Sequence, residues 1–262
     1  MIPAATRYER ATDVEHALEL LGEPDAKAIA GGQSLIPVMK LRIARPSLVV
    51  DISRLELRGI EERDGALHVG PLTTWADLVD AELPVGLEAI TECAREVGDL
   101  QVRNLGTIGG SIVHADPASD MPAVLLALGA RLAIRSPEGV RDVALADILV
   151  GPFTTALGPQ DLVTDVVVPT PAPGSGSAYA SVEHPASGFA LVGAAALASP
   201  EDETVALTGV GATPFVLDGD PREAIAAAEI FGDRFASEEY RRELALVVAE
   251  RALESARARS GR

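Results

Sequence analysis

Two short runs in this 262-residue chain set paired glycines beside a hydroxyl side chain, straight after an apolar stretch. They are Ala30-Gly31-Gly32-Gln33-Ser34-Leu35 and Gly106-Thr107-Ile108-Gly109-Gly110-Ser111. Glycine reaches positive φ and lets a ligand approach the main chain with no side chain in the way. Successive N–H groups in such a turn form an anion-binding concavity, and the N-terminus of a following helix adds partial positive charge. Two such loops could hold a diphosphate between them. Neither is a common phosphate loop: no G-x-x-x-x-G-K-[ST] occurs and no strand-linked G-x-G-x-x-G, so a P-loop ATPase and a Rossmann dinucleotide domain are unsupported. Each run alone also reads as an ordinary turn.

The other chemistry-bearing residues are sparse. Cys93 is the single cysteine, which excludes an internal disulfide and a Cys-ligated iron–sulfur cluster. His16, His68, His114 and His184 lack metal-ligand spacing. His114 opens the segment His114-Ala115-Asp116-Pro117-Ala118-Ser119-Asp120-Met121-Pro122; as a lone histidine it reads as a hydrogen-bonding or surface residue, and Asp116 as a turn former. Asp120, just before Pro122 and an apolar stretch, reads as a helix N-cap with one oxygen left for other use.

The formal charge of −17 disfavours nonspecific nucleic-acid binding, and 47% hydrophobic residues argue against general disorder. The first residues show no apolar signal-peptide core, and no uncharged apolar run reaches membrane-span length, so a cytoplasmic protein is expected.

Helix and strand signals alternate around the two runs. Thr12 and Glu15 form a capping-box pattern before a helix that Gly22 ends. Residues 26–30 read as a strand feeding the first glycine pair, Ser34 as the cap of a helix through Met39, and residues 48–52 as a second strand. Asp64-Gly65 predicts a hairpin between residues 59–62 and 66–69. Helices are predicted over 74–79, 87–97 and 121–128, and strands over 132–135, 140–145 and 162–168. The Pro/Gly/Ser stretch 170–177 reads as a linker. Beyond it, residues 178–183, 189–198 and 204–210 predict a three-stranded antiparallel sheet, then helices over 222–230 and 237–258. The last places Tyr240, Leu244, Val247 and Val248 on one face, with Glu238 and Arg242 at i,i+4.

The first run, continued through Ile36-Pro37-Val38-Met39-Lys40-Leu41-Arg42, and the second, preceded by Gln101-Val102-Arg103-Asn104-Leu105, closely resemble the two FAD-binding stretches of molybdenum hydroxylase flavoproteins. These are the medium subunits of carbon monoxide dehydrogenase-like enzymes, corresponding to the flavin domain of xanthine dehydrogenase. The layout of the whole chain is similar too. The resemblance implies an α+β fold: a two-lobed FAD-binding domain of the PCMH type, with lobes at residues 1–57 and 58–169. A small C-terminal domain of three-stranded antiparallel sheet plus helices follows at 178–262. It implies noncovalent FAD, with Ala30, Gly31, Gly32, Gln33, Ser34 and Leu35 along the diphosphate and Thr107, Ile108, Gly109, Gly110 and Ser111 beside it. Asp120 and Val163 match positions that meet the cofactor.

It further implies that a large molybdopterin subunit oxidises substrate. Two [2Fe–2S] clusters on a small subunit would relay electrons to FAD, in a heterotrimer or a dimer of heterotrimers. This chain would be an FAD-dependent oxidoreductase subunit, inactive on substrate by itself. After Tyr179 many relatives carry a lysine two positions on; here Ser181 stands there, removing a positive charge that would raise the flavin potential. Phe189 falls where some relatives set an aromatic against the ring, though on sequence alone core packing explains it better. Two alternatives stand beside this reading: a stand-alone flavoprotein oxidase or dehydrogenase, and a non-enzymatic acidic binding or assembly module.

Overall fold

A computed structural model describes residues 2–261. The chain opens with β1 (Arg7–Arg10), α1 (Val14–Leu21), β2 (Ala26–Ile29), α2 (Leu35–Lys40) and β3 (Leu48–Asp51). The three strands form a parallel sheet in the order β1-β3-β2. All four residues of β3 are buried, as a central strand covered on both faces requires. Helix α1 covers the sheet with Ala17, Leu18, Leu20 and Leu21. Its cap is Asp13, which accepts from the His16 N–H at 2.8 Å. The expected Thr12–Glu15 box is displaced by one residue: Asp caps as well as Thr, and the Thr12 hydroxyl donates to Asp13 instead.

The hairpin β4 (Ile60–Arg63) and β5 (Ala66–Val69) turns through Asp64 and Gly65, both at positive φ, as an Asp-Gly turn of type I′ demands. Five helices follow: α3 (Trp75–Asp80), α4 (Glu88–Glu96), α5 (Leu100–Leu105), α6 (Ile108–His114) and α7 (Asp120–Ala127). Thr74 and Asp77 cap α3 reciprocally. Helix α7 is buried along its whole length, at the centre of the main core. Then come β6 (Arg131–Ser136), β7 (Gly139–Ala144), α8 (Leu145–Ile148), β8 (Leu149–Gly151), β9 (Thr154–Thr155) and β10 (Leu162–Pro169). The late strand β10 inserts between β5 and β6, giving an antiparallel sheet of order β4-β5-β10-β6-β7.

The stretch expected to be a linker is exposed at Ala172, Pro173 and Gly174 but packed at its C-terminal end. Ser175, Gly176 and Ser177 are buried, and the Ser177 hydroxyl accepts from the Ala89 N–H of α4 at 3.0 Å. A Cβ at Gly176 would lie 2.5 Å from the Ala256 carbonyl oxygen. The last sheet comprises β11 (Gly176–Glu183), β12 (Ala190–Ala198), β13 (Glu203–Thr208) and a fourth, two-residue strand, β14 (Phe215–Val216), beyond the three expected. One face packs Tyr179, Ala195 and Ala206 into the main core beside α4 and α7; the alternate residues Ala178, Val192, Ala194, Ala196, Val205 and Leu207 meet the final helix. That helix, α10 (Glu238–Ser260), follows α9 (Pro221–Ala227). Its buried face is Arg241, Ala245, Val248, Ala249, Ala252, Leu253 and Ala256, which is the expected one only in part: Val248 is buried and Leu244 packs on the core, but Tyr240 and Val247 are exposed. Small alanines are selected because helix and sheet approach closely. The Glu238–Arg242 pair forms at 3.0 Å.

Candidate functional site

At the end of β2 the chain turns through residues 30–34 into α2. Gly32 has φ +71°, a left-handed conformation that favours glycine. Gly31 is required for a different reason: a Cβ there would sit 1.6 Å from the Leu105 carbonyl oxygen, so the segments bearing the two glycine runs touch backbone to backbone. Among the described residues, the main-chain N–H groups of Gly31, Gly32, Gln33 and Ser34 find no hydrogen-bond acceptor. Ser34 holds the N-cap position of α2, yet its hydroxyl makes no cap bond. Four consecutive amides and a hydroxyl are therefore available to an anion.

The second run is organised otherwise. It is no open turn but the first turn of α6, with Thr107 as N-cap. Most of its amides are already engaged: Ile108 donates to Thr73 O and Gly109 to Pro71 O, both at 3.0 Å, and Gly110 to Thr107 Oγ1 at 3.2 Å. Gly109 is glycine because a Cβ would come within 2.4 Å of Pro71 Cβ. Gly110 is exposed, and a Cβ there would meet only Thr107 Oγ1. This run thus supplies a helix surface cleared of side chains, with the Ser111 hydroxyl 2.6 Å from that of Ser119.

Both runs line one cleft of about 600 Å³. Ala30, Gly31, Gly32, Gln33, Ser34, Leu35, Thr107, Gly109, Gly110, Ser111, Asp120 and Val163 all line it. Ile108 does not; it is fully buried in the core, since the first turn of α6 must face both ways. Sequence reasoning passed over other lining residues, among them Trp75, Phe153 and Gly188. His114 and Asp116 line the cleft as well, and Asp116 also orders its turn by accepting from Ala118 N–H at 2.9 Å. Phe189 is a cleft residue, 49% exposed, and not core.

Asp120 is a buried polar group of the cleft lining. It is the first residue of α7 and not its cap; Ser119 takes that place, without a cap bond. Tyr179 Oη, from β11, donates to Asp120 Oδ1. Burial pushes the Asp120 carboxyl up to about 7; Glu96 and Glu183 add to this, and the Tyr179 hydrogen bond opposes it. Burial also raises the neighbouring Tyr179 phenol and Cys93 thiol, with Asp120 adding to both. Ser181 does not line the cleft among the described residues; its hydroxyl donates to Glu96 at 3.0 Å. Asp161, at the edge, is held below its usual range by Arg141 and the Gly158 N–H. The arrangement offers free amides for an anion, hydroxyls for polar contacts, apolar walls for planar rings and one near-neutral carboxyl. Among the described residues no group of three or more His, Cys, Asp or Glu is placed to hold a metal, and no helix is long and apolar enough to cross a membrane.

The family described as the FAD binding domain in molybdopterin dehydrogenase matches residues 4–171. The chain belongs to that family. The carbon monoxide dehydrogenase medium chain of Afipia carboxidovorans is 35% identical to this flavoprotein over 99% of both chains. A 6-hydroxypseudooxynicotine dehydrogenase complex subunit alpha from Paenarthrobacter nicotinovorans is 40% identical over 78% of this chain and 70% of its own. Among solved structures, a carbon monoxide dehydrogenase from Hydrogenophaga pseudoflava, lacking the Mo-pyranopterin moiety, superposes with a TM-score of 0.93 at 34% identity over 99% of each chain. The fold is therefore the α+β, PCMH-type flavoprotein architecture. FAD suits the cleft on physical grounds: the free amides at 31–34 match a diphosphate, and the bare surface at Gly110 leaves room beside it.

Proposed function

We propose that this chain is the flavin-carrying, electron-transferring subunit of a molybdenum hydroxylase complex, with FAD bound noncovalently in the cleft. The observation that carries the reading is that the two glycine runs line one cleft, with four amides of the first free of partners among the described residues and Gly110 of the second exposed. Gly31, Gly32, Gln33 and Ser34 would hold the diphosphate, flanked by Ala30 and Leu35. Thr107, Gly109, Gly110 and Ser111 would lie alongside, and Asp120 and Val163 would meet the cofactor deeper in. Ile108 supports α6 from the core without touching the ligand. FAD supplies the ability to take up electrons from a one-electron donor and to release them to another acceptor.

The protein's own part is to bind, orient and shield. Asp120, one oxygen of which accepts from Tyr179, would hold or release a proton near neutrality in the cleft. The single cysteine, Cys93, is fully buried with its thiol pushed up, which is no environment for a cluster-ligating thiolate. The molybdopterin and [2Fe–2S] centres are accordingly assigned to a large and a small partner subunit, in a heterotrimer or a dimer of heterotrimers. Electrons would pass from the small subunit's clusters to FAD and on to a terminal acceptor, and the isolated chain would not turn over substrate. Residues 1–57 and 58–169 would form the two lobes of the flavin domain, and 178–262 the smaller layer that closes it; the complex would work in the cytoplasm.

The test is the visible spectrum of the chain as it co-purifies from its host, before and after added FAD. Flavin bands that Gly110→Val abolishes, together with co-purified molybdenum and iron, support the proposal. A native assembly with no flavin and no affinity for FAD refutes it. Substrate turnover by the isolated, FAD-loaded chain would favour a stand-alone oxidase instead.

A further inference from the structure

The hairpin β8–β9 contributes one residue to the cleft that the glycine runs do not account for. Phe153, at its tip, has φ +52°, a left-handed conformation that a bulky side chain rarely adopts. It is held there by a hydrogen bond from its N–H to the Ala115 carbonyl at 2.8 Å. Ala115 is itself left-handed, at φ +51°, as the C-cap of α6. Two strained non-glycine residues are thus tied to each other at the cleft wall. The Thr154 hydroxyl braces the tip from the other side, donating to Pro152 O at 3.0 Å. The product of this strain is an aromatic ring left 60% exposed, tilted against His114 with centroids 5.2 Å apart. Phe153 and His114 both line the cleft that holds the glycine runs. Local folding would be satisfied by glycine or asparagine at such a position; a phenyl ring, oriented and uncovered inside a ligand cleft, is suited to stacking on another planar ring.

We propose that Phe153, braced by His114, is a stacking face for one of the two planar ring systems of FAD, either adenine or isoalloxazine. This rests on the FAD reading above. Aromatic–base stacking of this kind typically contributes about 1–3 kcal/mol, so loss of the ring should weaken binding on the order of 5- to 150-fold.

The experiment is titration of the full chain, in the assembly that binds FAD, with FAD, FMN and ADP, for the natural protein and for Phe153→Gly, Phe153→Leu and Phe153→Trp. Phe153→Gly relieves the left-handed strain, so folding is preserved, and its thermal midpoint in the absence of FAD checks this. Weaker FAD and ADP binding with unchanged FMN binding assigns the ring to adenine. Weaker FAD and FMN binding, with displaced visible bands and unchanged ADP binding, assigns it to isoalloxazine. In either case Trp restores affinity and Leu does not. Unchanged binding of all three ligands to Phe153→Gly overturns the proposal, as does an equal loss for FMN and ADP, which would mark a distorted cleft. Failure of the natural protein to bind FAD would instead overturn the function on which it rests.

Discussion

Replacing Asp120 by Asn should stabilise the FAD-free chain at neutral and alkaline pH. The carboxyl is almost wholly buried, and burial raises it from an ordinary 3.8 to about 7. Between those two values the folded chain keeps a proton that the unfolded chain has lost. Stability therefore falls as pH rises through this window and levels off above it. A difference of about three pH units corresponds to about 4 kcal/mol, an upper figure for one buried group. Asn cannot ionise, is nearly isosteric, and still accepts from Tyr179. The variant should accordingly exceed the natural protein by up to about 4 kcal/mol near pH 8, with the gap closing towards pH 4. Asp51 and Asp77, held below the ordinary carboxylate range by hydrogen bonds that outweigh burial, act with the opposite sign. They are common to both proteins, so the difference between variants isolates Asp120. Urea unfolding of both FAD-free proteins from about pH 5 to about pH 8 measures it. A gap independent of pH, or a variant less stable near pH 8, would refute the reasoning.

The two glycine runs predict opposite responses to alanine. Gly31→Ala drives a Cβ into the Leu105 carbonyl and should cost about 3 kcal/mol or more, read as a lowered thermal midpoint. Gly110→Ala meets only the capping hydroxyl Thr107 Oγ1, at 2.8 Å, so the FAD-free fold should lose no more than that cap's about 1 kcal/mol while FAD affinity falls in titration. Tyr179→Phe removes the hydrogen bond to Asp120; the loss should be about 1–3 kcal/mol above neutrality, where the carboxylate is charged, and smaller near pH 5, as pH-resolved unfolding would show. A fragment ending at residue 171 should neither bind FAD nor stay monomeric by light scattering. It loses Tyr179, the Phe189 wall and the sheet face that covers α4 and α7.

Much of the scaffold was legible because its signals are local. The Asp64-Gly65 turn, the apolar run of α7 and the strands around them follow from turn chemistry and periodicity alone. Misreadings occur where a distant partner decides. Asp120 reads as a cap because it precedes Pro122, but its carboxylate is engaged by Tyr179 from a strand about sixty residues on. Phe189 reads as core by its apolarity, while the cleft alone explains its exposure. The face of α10 was legible only in part because large apolar residues outweigh alanine in any pattern, whereas a close helix–sheet contact selects alanine. The stretch 170–177 has linker composition, yet its serine and glycine are the residues that fit a buried crossing beneath α10. Phe153 carries no sequence signal, since left-handed backbone in a phenylalanine contradicts local preference.

Similar glycine patterns therefore perform different physical tasks here. In the first run Gly31 permits contact with the neighbouring backbone and Gly32 permits the turn, and the four amides left over can bind an anion. In the second run the amides of Ile108, Gly109 and Gly110 are already engaged, Gly109 serves packing against Pro71, and Gly110 clears space. The loop between them and α7 is gripped from the far side of the molecule. Thr208 Oγ1 lies 2.7 Å from Ser119 O and 3.0 Å from Pro117 O, and Gly209 N–H donates to Pro117 O at 2.9 Å. Buried Arg241 of α10 in turn donates to Leu191 O at 2.6 Å and to Gly209 O, with Asp233 balancing its charge. The cleft residues Asp116, Ser119 and Asp120 are thus positioned by the C-terminal sheet as much as by the helices that carry them. If the cleft holds FAD, a docked C-terminal layer is a condition for the site, and the buried end of the crossing at Ser175, Gly176 and Ser177 helps fix that layer.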